Sequence, residues 1–186
     1  SQTAVSAGLA GWPEDVVKVL RQIRDGDAVT QTPWLLVATP TLSDVGRAPE
    51  GHHVVKLIAP VSVKSFAPSG QWADAREDFG NMMIRNAQRV LPNLTDTVIE
   101  AKLFRSPVEI EENNPHMING AFHGGDRGIP FAGGMRPAPG WAQHRMPIKG
   151  LYQTGGTTHP GGSITGAPGR NCAQIMLKDF GTSIED

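Results

Sequence analysis

The chain has 186 residues, of which 39% are apolar and 19% charged, the composition of a globular protein and not of a disordered one. Its 17 Lys and Arg residues nearly balance its 18 Asp and Glu residues, so no overall field favours nucleic acid or an anionic membrane surface as a partner. The apolar stretches are also too short for a transmembrane helix.

The N-terminal segment, residues 1–26, predicts an arm followed by a helix. The first eleven residues are mostly small, which is typical of an arm. Pro13 suits the first turn of a helix, Glu14 and Asp15 suit its positive end, and Gly26 is a typical stop. The apolar stripe by which this helix would pack consists of Val16, Val17, Leu20 and Ile23.

A sheet with covering helices is predicted over residues 27–114. Residues 34–39 and 53–63 are rich in β-forming side chains and are separated by turn residues, so we expect two adjacent antiparallel strands. Residues 95–105 predict a further strand, and residues 107–112 a short acidic turn or the start of a helix.

Residues 71–91 carry the clearest helical pattern. Apolar side chains recur there at multiples of three and four residues, and charged side chains cover the other faces. Pro92 would end the helix. The side chains expected to pack into the core are Trp72, Phe79, Met83 and Val90.

Beyond residue 114 these periodicities vanish. Residues 114–170 hold 14 of the 22 glycines and 7 of the 15 prolines. Aromatic residues interrupt the segment 115–149, so it has the composition of an ordered loop and not of a flexible linker, and a loop of that length is usually functional. Aromatic loop side chains are typical of an apolar substrate cavity, for which the candidates are Phe122, Phe131, Trp141 and Tyr152.

The C-terminal segment, residues 150–186, predicts a short buried strand at 150–154, a glycine-rich turn at 155–162 and a helix at 165–178. The fold class is therefore α+β, a mostly antiparallel sheet with covering helices plus a C-terminal strand, glycine turn and helix. Four segments follow from this interpretation: an arm and helix, a sheet lobe, a Gly/Pro-rich loop and the C-terminal unit.

A strand, glycine turn and helix in this order can present unpaired backbone N–H groups and the positive end of a helix to a ligand. The alternative is that the glycines only allow a tight crossover. The spacing is not the G-x-G-x-x-G dinucleotide fingerprint, and no Gly-Lys-Ser/Thr of a Walker loop is present. The pattern alone predicts a ligand at the start of a helix.

Four C-terminal segments carry a resemblance to a known family. They read RPAPGW at 136–141, PIKGLY at 147–152, GGTTHPGG at 155–162 and TGAPGRN at 165–171. Together they closely resemble the C-terminal flavin motif of phytoene-desaturase-like FAD oxidoreductases, a family that includes carotene desaturases and isomerases and retinol saturase. The match is specific over residues 130–177 and weaker over about 30–129.

The resemblance implies an FAD site and an apolar substrate. In that family the last helix points its N-terminus at the flavin, which would stabilise the negative charge of the reduced ring. The implied cofactor-binding residues here are Gly155, Gly156, Thr157, His159, Pro160, Gly161, Gly162, Thr165, Gly166, Ala167 and Asn171. Residues 27–114 would belong to the substrate lobe above the flavin.

One feature of the family is missing from the sequence. Members bind the ADP part of FAD with an N-terminal strand, G-x-G-x-x-G and helix, and these 186 residues do not supply it. We therefore expect FAD to be shared with an N-terminal segment or separate chain that carries this motif. The expected partners are that polypeptide and a small apolar substrate, and the protein would form an oligomer if the motif stands on another chain.

Individual polar residues allow two interpretations. His159 is the weak candidate for a catalytic base, and the alternative is a structural histidine that fixes its turn. Arg136 and Arg145 could hold a phosphate or carboxylate, or Arg136 could brace backbone carbonyls. The loop histidines match no metal signature, so we expect no metal site. Cys172 is expected to be a small buried residue and not a nucleophile.

The sequence favours the C-terminal portion of a desaturase- or dehydrogenase-type flavoenzyme that transfers hydride to FAD and is incomplete as this chain alone. Two alternatives stay open: a non-catalytic binding or assembly module, and a subunit of a hetero-oligomer. The single cysteine and the lack of a secretory signal lead us to expect a cytoplasmic location, with a peripheral membrane or organellar one as the alternative.

Overall fold

The computed structural model describes residues 5–27, 34–62, 70–126, 128–162 and 164–182. The chain divides into two compact units, Ser1–Val108 and Glu109–Asp186. Helices and a small antiparallel sheet share the described residues, so the α+β prediction is confirmed. No helix in these ranges is both long and apolar enough to cross a membrane.

Helix α1 spans Pro13–Asp25, close to its predicted bounds. The N–H of Trp12 donates to the carboxylate of Asp15 at 3.1 Å, and Gly26 ends the helix in the left-handed region with φ 86°. The predicted stripe is only half right, because Val16 and Ile23 are partly buried, whereas Val17 and Leu20 are exposed and the buried side chain is that of Val19.

Three short strands form an antiparallel sheet in the order β1, β2, β3, with β1 at Ser6–Leu9, β2 at Leu35–Ala38 and β3 at Lys56–Ile58. The predicted pairing of two adjacent antiparallel strands is confirmed. The predicted arm over residues 1–11 is wrong for its second half, because residues 6–9 pair with β2 in the register Ser6 to Ala38 through Leu9 to Leu35. Backbone hydrogen bonds, which need no particular side chains, determine that pairing.

Helix α2 spans Gly70–Gln88 and supplies Ala87 to the same core as Leu35 and Val37. Of the side chains predicted to be buried, Trp72 is buried and contacts Phe79 edge to face at 6.1 Å between ring centroids. Val90 lies past the end of the helix and is exposed.

The strand predicted over residues 95–105 is wrong. Residues 96–98 form a short 3₁₀ turn and residues 99–105 have no regular secondary structure. Phe104 instead packs directly against the backbone of α2 at Gly80, where a Cβ atom would overlap the Phe104 ring. Lys102 also donates to the side-chain oxygen of Asn81 at 3.3 Å. Residues 99–105 therefore contact helix α2 and do not pair with a strand of the sheet.

Helix α3 spans Pro107–Asn113, which confirms the predicted helix start. A long segment of 3₁₀ turns follows, as the loop composition predicts. The buried strand predicted at 150–154 is wrong: Tyr152 forms one isolated bridge with Arg145, and Leu151 is exposed. Helix α4, Ala167–Asp179, lies within a residue or two of its predicted bounds.

Candidate functional site

Arg136 is a buried arginine of the second unit. Its guanidinium is buried and donates to backbone carbonyls on two parts of the chain. Nη1 reaches the oxygens of Asp126 and Phe131 at 2.9 and 3.2 Å. Nη2 donates to those of His123, Gly124 and Gly156, and Nε also donates to that of Gly156. Of the two interpretations of Arg136, the brace of backbone carbonyls is confirmed.

Glycines let the loop and the turn approach each other without side chains between them. Gly124 has φ 62°, and a Cβ there would lie 2.7 Å from Cγ2 of Thr157. Within the turn, a Cβ on Gly156 would lie 3.7 Å from the Cα of Gly162. The backbone of the predicted glycine turn is therefore packed tightly on the carbonyls that Arg136 holds.

The middle of the glycine turn is fixed by its own side chains. Thr158 is buried, and both its N–H and its hydroxyl donate to the carbonyl of Gly155, at 3.0 and 2.9 Å. Nδ1 of His159 lies 2.8 Å from the carbonyl oxygen of Gly133. Because a carbonyl only accepts, Nδ1 carries the proton, and this histidine ties the turn to the loop.

The start of α4 exposes backbone in the manner expected of a ligand site. Gly166 precedes the helix with φ 71°, and no atom lies within 4 Å of where its Cβ would stand. The N–H of Ala167 donates to Oγ1 of Thr165 at 3.2 Å, and the N–H of Arg170 to the carbonyl of Gly166 at 3.0 Å. Pro168 has no N–H, and among the described residues no backbone carbonyl accepts from the N–H of Gly169.

The predicted cofactor residues fall into two groups. Those of the glycine turn, residues 155–162, are held together around Arg136, with Gly161 close to its side chain. Residues 165–167 form the start of α4. His159 and Asn171 join the two groups, because both line a cavity of about 170 Å³ together with Ala142, Gln143, His144, Gln174 and Ile175.

His144 also lines this cavity. The sequence did not single it out from the other histidines of the loop. Its side chain is buried, and Nδ1 donates to the carbonyl of Gln153 at 3.0 Å. The other ring nitrogen, Nε2, has no hydrogen-bond partner among the described residues. The backbone at His144 has φ 63°, a conformation for which the sequence gives no signal.

The aromatic residues predicted to line a substrate cavity differ in their surroundings. Phe122, Phe131 and Trp141 are exposed, and the ring of Phe122 contacts that of His123 at a tilt of 44°, with 4.3 Å between ring centroids. Tyr152 is partly buried and contacts Phe180. The assignment of these four residues to a substrate cavity stays a prediction.

Asp179 binds both Arg145 and Tyr152. The sequence singled out those two residues but not Asp179. Both its oxygens accept from Arg145 at 2.7 Å, and Oδ2 also accepts from the hydroxyl of Tyr152 at 2.9 Å. Hydrogen bonds from Arg145 and then Tyr152 lower the pKa of Asp179 from 3.8 to about 2. The same bond to the carboxylate raises the pKa of Tyr152. Arg145 therefore anchors the end of α4.

Two further features concern reactive groups. Cys172 is buried, and that burial raises the pKa of its thiol, as expected of a side chain that packs and does not attack. Among the residues that the structure describes, no three His, Cys, Asp or Glu side chains converge as metal ligands would.

Sequence comparison relates the chain to oxidoreductases. It is 30% identical over 174 residues to a limonene dehydrogenase subunit of Castellaniella defragrans, an alignment that covers 92% of this chain and 31% of that protein. It is 28% identical over 173 residues to pyridine nucleotide-disulfide oxidoreductase domain-containing protein 2 of Rattus norvegicus and of Mus musculus, covering 90% of this chain and 29% of each. No family model matches the chain.

The chain thus spans less than a third of the length of the curated relatives it matches. The name of one relative describes it as a subunit of a dehydrogenase, and the names of the others say that they contain an oxidoreductase domain. The similarity is therefore to subunit and domain proteins of oxidoreductase type.

Proposed function

We propose that this chain is the C-terminal, flavin-facing portion of an FAD-dependent oxidoreductase of the phytoene-desaturase-like type. It would act on an apolar or amphipathic substrate together with a polypeptide that supplies the G-x-G-x-x-G strand, turn and helix. The observation that carries the proposal is the start of α4, where Gly166 leaves the backbone uncovered.

The residues at this position fit a flavin. A glycine with φ 71° and no neighbour within 4 Å of its missing Cβ lets a planar ring approach the helix start closely. The N–H of Gly169, which donates to no backbone carbonyl of the described residues, and the positive end of a thirteen-residue helix favour negative charge there. The similarity to oxidoreductase subunits agrees with this fit.

Each group of residues would then have its own part in binding. When bound, FAD supplies a hydride acceptor. Gly155, Gly156 and Thr157 would contact its ribityl and phosphate portion through backbone, and Gly166 and Ala167 the pyrimidine side of its ring. Arg136 would not contact FAD itself, because its donors are occupied by backbone carbonyls. It would instead hold the glycine turn in place by binding those carbonyls.

His159 is a positioning residue in this proposal. Its Nδ1 proton is donated to Gly133, so its contribution is to fix the turn relative to the loop. Phe122, Phe131, Trp141 and Tyr152 would face the apolar substrate once the rest of the protein encloses them. Hydride transfer then depends on orientation and on electrostatics from α4.

The second candidate is a subunit of a hetero-oligomer in which the partner chain carries the dinucleotide motif. The name of one relative, which calls it a subunit of a dehydrogenase, favours this version. A non-catalytic assembly module built on the same fold is the further alternative.

Flavin retention tests the proposal. We expect the purified chain alone to elute from gel filtration without flavin absorbance, and the native protein that contains it to elute with FAD and with a polypeptide whose mass-spectrometric sequence includes G-x-G-x-x-G. Micromolar FAD binding by the chain alone would show that it is complete without a partner. A native protein without flavin would refute the cofactor, and flavin that no apolar substrate bleaches would favour the non-catalytic module.

A further inference from the structure

The second unit buries three polar side chains and no large apolar one among its described residues. Among its described residues, the buried side chains are Arg136, His144, Thr158, Pro168 and Cys172. Its large apolar side chains are exposed or half-buried, the reverse of the usual distribution in a folded domain. A surface of this kind is typical of a face that another polypeptide covers.

Part of this exterior lies on the segment that Arg136 and His159 hold from inside. Arg136 takes the carbonyls of residues 123, 124, 126 and 131, and His159 takes that of Gly133. Because those carbonyls point toward Arg136 and His159, large apolar side chains of residues 122–135 are exposed to solvent. We define the loop face as Ile129 and Met135, which are 91% and 44% exposed.

We propose that the loop face is the docking surface for the polypeptide that carries the G-x-G-x-x-G segment. This inference rests on the proposed function, because that function requires such a polypeptide. The relatives align over about nine-tenths of this chain yet are more than three times as long as the aligned stretch. Most of such a protein therefore lies outside the chain, and it must pack on some part of it.

A protein surface suits the loop face better than a lipid surface does. Between residues 114 and 143 the sequence carries only three charged residues, Asp126, Arg127 and Arg136. Arg136 is buried with its donors on carbonyls, so it cannot reach lipid headgroups. Membrane-surface binding normally adds several basic side chains to an apolar face, whereas the centre of a protein interface is depleted of charge.

Photocrosslinking in the native protein tests the docking surface. A benzophenone amino acid in place of Ile129 is compared with the same substitution at Val98, which is 57% exposed in the other unit. We expect position 129 to give crosslinks to peptides of the polypeptide that contains G-x-G-x-x-G, and position 98 to give at least tenfold fewer. Crosslinks only to peptides of this chain, whether from its first unit or a second copy, overturn the proposal, as does a yield no higher than at position 98.

A charge substitution gives an independent measurement. Ile129→Glu removes apolar contact at a position too exposed to affect folding, and circular dichroism verifies the fold. We expect the partner to dissociate at least tenfold more readily than from the wild type, and Val98→Glu to have no such effect. Equal partner affinity in Ile129→Glu and Val98→Glu overturns the docking surface.

Failure of the two proposals can be told apart. If the native assembly holds FAD and Ile129→Glu leaves it intact, the docking surface is wrong and the proposed function stands. If crosslinks from position 129 reach the partner but the assembly contains no flavin, the docking surface stands and the cofactor assignment is wrong.

Discussion

Arg136 donates twice to the carbonyl oxygen of Gly156, from Nε at 3.3 Å and from Nη2 at 3.0 Å. This pair of hydrogen bonds joins the long loop to the glycine turn twenty residues further along. The other bonds of the guanidinium end on carbonyls of residues 123–131. One planar side chain thus satisfies backbone groups that come from two segments and would otherwise be short of donors.

Replacing Arg136 with Lys should loosen both segments together. An ammonium group has three donors at one point and cannot span carbonyls that now meet a planar fork. Each buried carbonyl left without a donor costs about 1 to 3 kcal/mol, so we expect the free energy of unfolding to fall by roughly 2 to 5 kcal/mol. Urea unfolding measures the loss, and amide exchange over residues 121–136 and 155–162 locates it.

The matched control for that substitution is Arg170→Lys, because Arg170 is an exposed arginine of the same unit. We expect it to change stability by less than about 0.5 kcal/mol. If Arg136→Lys and Arg170→Lys unfold at the same urea concentration, Arg136 does not brace the loop.

Gly124→Ala tests the close approach of loop and turn. The new methyl group would lie 2.7 Å from Cγ2 of Thr157, and the residue has φ 62°. Gly133→Ala is the control, since Gly133 has φ 53° and no atom within 4 Å of its missing Cβ. Both variants carry the conformational cost of about 1 to 2 kcal/mol, and Gly124→Ala should add roughly 1 to 3 kcal/mol of overpacking.

Thr157→Ser removes the methyl group with which the new side chain would collide. In the Gly124→Ala background it should restore most of the overpacking loss, measured as a double-mutant cycle on urea unfolding. A cycle with no coupling would mean that the two residues are not in contact.

These contacts mark the limit of what the sequence could predict. Helices α1 and α2 were predictable because a proline start, a glycine stop and apolar periodicity are local signals. The pairing of residues 6–9 with β2 was not, because Ser6, Ala7 and Gly8 are weak β-formers that join the sheet through backbone alone. The strand predicted at 95–105 is wrong because Phe104 packs against α2 at Gly80. That contact joins residues far apart in the sequence, so no local pattern predicts it.

The candidate site divides in the same way. The glycine turn and the small residues at the start of α4 were visible as composition, and the structure has them as a turn and a helix start. The network around Arg136 requires knowing which carbonyls face inward, and the anchor at Asp179 joins residues 34 positions apart. Neither relationship leaves a periodic trace in the sequence.

Asp179 should make the stability of the second unit depend on acid pH. Its folded-state pKa is lowered from 3.8 to about 2, so the carboxylate stabilises the fold fully above pH about 4, and this contribution is lost as pH falls through about 2. Asp179→Asn should therefore lower the urea midpoint at pH 6 and flatten its decline between pH 4 and 2. Asp78→Asn, at an exposed position of α2, is the control.

The role of His159 can be separated from base catalysis by two substitutions. An Asn side chain can still donate to the carbonyl of Gly133, whereas Ala cannot. We expect His159→Asn to keep the rate of flavin reduction in the native assembly within about threefold with an unchanged pH profile, and His159→Ala to lose flavin. A fall of 100-fold or more in His159→Asn, with loss of the pH dependence, would identify a general base.

Gly166 and Gly181 lie at opposite ends of α4, and both have φ 71° with no atom within 4 Å of the missing Cβ. Changing either one to Ala therefore carries the same conformational cost of about 1 to 2 kcal/mol, and any difference between the variants must come from what approaches the helix start. If the start of α4 faces flavin, Gly166→Ala should weaken FAD binding by the native assembly at least tenfold, while Gly181→Ala retains it. Flavin absorbance per mole of protein after gel filtration measures this. Equal occupancy in both variants would show that α4 does not face the cofactor, because the two methyl groups would then be equivalent.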